Sequence, residues 1–114
     1  TFNGRNFDIP FLMLRSAILG VKPSVNLILN RYNITNHIDL LDQFTFYRIT
    51  RKFNLDFYCN AFGIESPKTA EVSGMEVKNL YEAGRIKDIA VYCSKDIYAT
   101  YQLYKIWEKY LAHP

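Results

Sequence analysis

Tyr92-Cys93-Ser94-Lys95-Asp96 sets a phenol and a carboxylate one helical turn apart, inside a long run from Arg85 to Leu111. Along that run Ile89, Tyr92, Asp96, Ala99, Leu103, Ile106 and Tyr110 recur at steps of three and four, which aligns one helix face. Asp96 is the one acid in that stripe. A carboxylate drawn toward a core costs several kcal/mol of desolvation unless something compensates it, so it asks for a partner such as a metal ion. The alternative is an aspartate at the edge of the stripe that hydrogen-bonds a backbone group.

A second acid stands at the start of the chain. In Phe7-Asp8-Ile9-Pro10, Asp8 suits the N-cap of a helix and Pro10 its first turn, where a missing N–H is harmless. Asp8 is therefore open to two readings, a helix cap or a ligand. Other residues offer weaker chemistry. Asp39 and Asp42 suit strand-end carboxylates in water, with catalysis the rarer outcome, and His37 reads as a hydrogen-bonded structural histidine. Arg48, Arg51 and Lys52 alternate with Phe46, Tyr47 and Phe53. That mixture suits either a nucleic-acid groove or a solvated loop whose rings turn inward.

These side chains need elements to hold them. Thr1-Phe2 suits a strand end and Asn3-Gly4 a turn. A helix from Asp8 should bury Phe11, Leu14 and Ile18 and stop at Gly20. Residues 21–36 read as a connection with a short strand or turn around Val25 to Leu29. His37 to Asp42 reads as a short buried strand. Asn54 caps a helix from Leu55 to about Phe62, closed by Gly63. Glu65 to Ser73, with Pro67, reads as a loop, and a helix from Gly74 or Met75 to Ala83 is broken by Gly84. The last helix spans Arg85 or Ile86 to about Leu111.

The 114 residues fit one domain or part of one, and 49% are apolar, enough for a core. Nine Tyr and eight Phe favour a packed unit able to stack planar ligands, and a net charge of +3 is compatible with a phosphate-bearing partner. Cys59 and Cys93 form no CxxC and have no nearby His, so a zinc site is not indicated and two buried thiols are expected. No apolar run can cross a bilayer and the start lacks a signal-peptide pattern. The expectation is a soluble, cytoplasmic chain with no membrane partner. A Gly-rich phosphate loop, a GxSxG elbow and an HExxH are all missing from the sequence.

Asn3-Gly4-Arg5-Asn6-Phe7-Asp8 resembles the second motif of the proofreading 3′–5′ exonucleases, an Asn followed at short range by Phe-Asp. Tyr92-Cys93-Ser94-Lys95-Asp96 resembles their third motif in its tyrosine form. With His37-Ile38-Asp39-Leu40, Ser73-Gly74-Met75 and Tyr81-Glu82-Ala83-Gly84-Arg85-Ile86 in the same order, nearly the whole chain is similar to one family. This is the predicted 3′–5′ exonucleases related to the exonuclease domain of family B DNA polymerases, of the DEDDy type in the ribonuclease H-like superfamily.

The resemblance implies an α/β fold, a central mixed sheet flanked by helices. It also implies removal of nucleotides from a 3′ end with two divalent cations, Mg2+ or Mn2+. Such hard cations want oxygen ligands, which explains carboxylates in place of Cys or His. It makes Asp8, Tyr92 and Asp96 catalytic, the two aspartates as metal ligands and Tyr92 orienting or helping to deprotonate the attacking water. Asn3, Gly4 and Arg5 would lie beside the substrate strand, a single-stranded 3′ end with DNA favoured, and Phe7 would pack under the site. The family's first motif, Asp-x-Glu on a first strand, precedes the second motif, and this sequence contains no Asp-x-Glu.

Residues 1–114 therefore read as the C-terminal portion of one exonuclease domain, mainly helices with one or two sheet strands, and inactive by itself. An exposed sheet edge would then invite self-association. The alternative is an inactive ribonuclease H-like module that binds nucleic acid or a polymerase. A third reading is a purely helical structural domain.

Overall fold

A computed structural model describes residues 1–27, 30–67 and 74–113, with the side chains of Gly74 and Met75 left out. The described residues form five helices: α1 (Asp8–Ile18), α2 (Leu40–Phe44), α3 (Leu55–Ala61), α4 (Gly74–Glu82) and α5 (Ile86–Tyr110). No strand occurs among the described residues, so the expected α/β fold with sheet strands is corrected to an all-helical one. The sheet edge that would have invited self-association falls with it. The strand or turn around Val25 to Leu29 lies partly outside the described residues, as do Ser73 and most of the loop from Glu65 to Ser73. The chain divides into two compact units, Thr1–Lys52 with α1 and α2, and Phe53–Pro114 with α3, α4 and α5.

In the first unit, the residues read as a strand begin extended and then turn helical. Asp39 has φ −97° and ψ 108°, and its side chain accepts from the Leu41 N–H at 3.0 Å, capping α2. An Asx cap at that point outcompetes continued extension for Leu40 and Leu41. What remains of the strand is one rung: Thr1 N donates to the Ile38 carbonyl at 2.8 Å and Leu40 N to the Thr1 carbonyl at 2.9 Å. That is the pattern of neighbouring parallel strands, too short to be one.

After α2, Phe46, Tyr47 and Arg48 have φ of 50°, 57° and 73°, three consecutive left-handed residues without a glycine. Each costs roughly 1–2 kcal/mol. The Tyr47 N–H to the Asp42 carbonyl at 2.7 Å and the Arg48 N–H to Thr45 Oγ1 at 3.1 Å hold the turn.

Helix α1 begins one residue earlier than a capping Asp8 requires. Phe7 occupies the N-cap and makes no side-chain cap bond, while Asp8 sits exposed in the first turn, where the helix dipole favours an acid. Of its apolar residues Ile9 is buried, but Phe11, Leu14 and Ile18 are exposed, contrary to the face expected for them. Helical spacing identifies an apolar stripe and says nothing of what covers it.

The second unit follows the sequence signals closely. Asn54 caps α3 by accepting from the Phe57 N–H at 2.9 Å. Gly63 and Gly84 adopt φ of 69° and 73° behind α3 and α4. There the next residues' N–H groups, Ile64 to Cys59 O and Arg85 to Leu80 O, both at 2.8 Å, close the helix ends. Helix α5 packs against α3 and α4. It buries Ala99, Leu103 and Trp107, while Tyr110, expected on the same face, is exposed. A straight helix drifts relative to a repeat of seven, and two successive steps of four bring Trp107 inward. Asn54→Ala should lower the stability of this unit by about 1 kcal/mol. Urea unfolding followed by the fluorescence of Trp107, the single tryptophan, would read it.

Candidate functional site

The Asn3–Asp8 segment is a tight turn clamped from behind by one carboxylate. Asp39, 4% exposed, accepts from the Asn3 N–H at 2.7 Å through Oδ1, from the Arg5 N–H at 3.0 Å through Oδ2, and from the Leu41 N–H. Three amides on one buried anion offset its desolvation. They also let Asn3 hold its left-handed φ of 62°. Gly4 is buried, and a Cβ there would fall within 2.7 Å of Thr1 Cγ2, so the close approach requires glycine. The Gly4 carbonyl accepts from the Phe7 and Ile9 N–H groups at 3.3 and 2.9 Å, joining the turn to α1. The Asn3 side-chain oxygen accepts from Asn6 Nδ2 at 3.1 Å.

Beside this turn Asp42, 2% exposed, gathers three arginines. Its Oδ1 lies 3.1 Å from both Arg31 Nη2 and Arg48 Nε, and its Oδ2 lies 3.7 Å from Arg5 Nε. Asp39 and Asp42, expected as carboxylates in water, are thus the buried polar centre of this unit. His37 matches its structural reading, with Nε2 at 2.6 Å from Thr1 Oγ1. Burial lowers its pKa.

In the second unit Tyr92 and Asp96 lie one turn apart on α5, both half-buried. Burial pushes the Asp96 carboxyl above its ordinary value, and among the described residues no hydrogen bond or cation opposes the shift. Burial and then the Asp96 charge push the Tyr92 phenol up. Cys59 on α3 is raised by burial and then by Asp56 and Asp96. Cys93, expected buried, is exposed.

Because the folded Asp96 carboxyl lies above 3.8, the folded state holds its proton where the unfolded chain has lost it. Stability of this unit should fall as pH rises through that window and level off above it. Asp96→Asn should flatten that dependence and raise the neutral-pH urea midpoint. A variant retaining the parent's pH dependence would contradict this.

The turn unites Asn3, Gly4, Arg5 and Asp8, and the long helix unites Tyr92 and Asp96. A family model for predicted 3′–5′ exonucleases related to the exonuclease domain of PolB matches residues 1–112. The chain belongs to this family. No curated protein and no solved structure matches the chain.

Divalent cations are usual in exonucleases of this kind. Among the described residues no group of three or more His, Cys, Asp or Glu side chains is placed to hold a metal. Asp96 is half-buried with no charge partner among the described residues, and Asp8 is exposed in the first turn of α1. Sequence reasoning passed over Asp39 and Asp42 as functional supports. The available signal was an Asp immediately before a buried helix start, in a short Asp-Leu-Leu-Asp run.

Proposed function

We propose that residues 1–114 are the part of a metal-dependent 3′–5′ exonuclease domain that carries its second and third motifs. The family match over residues 1–112 carries this reading. Asp8 and Asp96 would hold the divalent cations, Mg2+ or Mn2+. Such cations, when bound, activate a water and stabilise the departing oxygen of a phosphodiester.

The chain's own residues do the rest. Tyr92, whose phenol is held above its ordinary value, stays protonated at neutral pH and orients the attacking water by hydrogen bonding. Asn3, Gly4 and Arg5 present the turn to the substrate strand, and Asp39 keeps that turn in shape from behind. The substrate is a single-stranded 3′ end, DNA in preference to RNA. Residues 1–114 contain two of the superfamily's four acids, so turnover by them alone is slow.

The test is a 5′-labelled strand incubated with the chain and Mn2+. Shortening from the 3′ end that needs the cation and is lost in Asp8→Asn and Asp96→Asn supports the assignment. Shortening that survives both substitutions, or proceeds in a chelator, overturns it.

A further inference from the structure

The three arginines on Asp42 exceed what a structural ion pair needs. Asp42 supplies one negative charge to Arg5, Arg31 and Arg48, and even with Asp39 beside them the cluster keeps a positive surplus. Its bonding is incomplete as well. Among the described residues Arg48 Nη2 is buried with no acceptor and Asp42 Oδ2 with no donor, so the Arg48 guanidinium is held beside the acid with one nitrogen unsatisfied. The Arg31 side chain, 43% exposed, carries the surplus to the surface.

Aromatic rings adjoin the same arginines. Tyr32 packs edge-on against Tyr47 with centroids 4.8 Å apart and an interplanar angle of 65°, and it remains 68% exposed. Tyr47 is fixed from the other side by Gln43 Nε2, which donates to its hydroxyl at 3.0 Å. Tyr47 and Arg48 sit in the left-handed run, a conformation kept only where surrounding bonds over-determine it and concentrated at functional sites. Guanidiniums in excess beside an exposed, braced ring are the two parts from which single-strand sites are built.

We propose that Arg5, Arg31 and Arg48, gathered on Asp42, bind a backbone phosphate of a single nucleic-acid strand while Tyr32 stacks on an adjacent base. This deepens the exonuclease reading and rests on it for the identity of the strand. Asp42 is a positioning residue here. It pre-orients the three guanidiniums, so that little side-chain freedom is lost when the phosphate arrives.

The experiment is fluorescence anisotropy of a labelled oligothymidylate of about twelve nucleotides, in a chelator and over a range of salt. Arg31→Gln should reduce the slope of log affinity against log salt by about 0.7, one phosphate contact of a single strand, and Arg31→Lys should restore it. Tyr32→Ala should weaken binding about fivefold or more. Tyr32 is exposed, so Tyr32→Ala should melt like the parent, while Arg31→Gln, which leaves Asp42 two of its three guanidiniums, should melt lower but remain folded, with Arg31→Lys as its matched comparison. If the parent binds the strand and both Arg31→Gln and Tyr32→Ala bind it equally well with the same slope, the subsite is overturned.

If the parent binds no strand, the exonuclease reading fails separately, and inorganic pyrophosphate then tests the cluster. Saturable shifts of the arginine Nε–H resonances, lost in Arg31→Gln, support an anion site. Unmoved resonances overturn it.

Discussion

Asp42→Asn should remove about 3–5 kcal/mol of stability from the first unit, the largest loss expected of any single substitution in it. The carboxylate is 2% exposed and is the meeting point of Arg5, Arg31 and Arg48. An amide keeps the size and one acceptor but leaves three partly buried cations facing one another without a counter-charge. Domains of this size have about 5–15 kcal/mol in all, so the loss is a large part of the total. Native-state hydrogen exchange would locate it at the Thr45 and Tyr47 amides, which bond the Leu41 and Asp42 carbonyls. A change below about 1 kcal/mol would mean that the arginines are held by something other than this acid. It would also remove the pre-organisation on which the phosphate subsite depends.

Asp96→Asn should act in the opposite sense on stability and more strongly on function. We expect Mn2+-dependent shortening of a 3′ end to fall by at least about a hundredfold, since losing a ligand should exceed the 10–100-fold cost of losing a supporting residue. The same substitution removes a carboxyl that burial has pushed up. The variant should therefore melt no lower than the parent at neutral pH. Groups kept at a cost to folding are the ones a site requires. A variant that loses cleavage because it has unfolded would show a lower melting temperature, which separates the two outcomes.

What the sequence made legible was local. The Asn54 cap, the stops at Gly63 and Gly84 and the extent of α5 all depend on residues within a turn of one another, and all appear where expected. Asp96 also stood out, because an acid in an apolar stripe is visible from periodicity alone. Asp39 and Asp42 were not legible in the same way. The partners of Asp39 include Asn3 and Arg5, 36 and 34 positions away, and those of Asp42 include Arg31, 11 positions away. No local pattern encodes such pairs.

The segment from His37 to Asp42 read as a strand because its apolar residues suit one, and the capping bond from Asp39 to Leu41 was the competing term that won. Phe11, Leu14 and Ile18 show the remaining gap: their spacing identified a face, and the face is exposed.

The most direct test of the account is a Mn2+ titration of the chain followed by the loss of the free-ion resonance signal, since it needs no turnover. The account predicts saturable binding that Asp8→Asn and Asp96→Asn each weaken at least about tenfold, with Asp88→Asn, an exposed acid paired to Arg85, as the unaffected control. Binding that is the same in the parent and in both variants would contradict it.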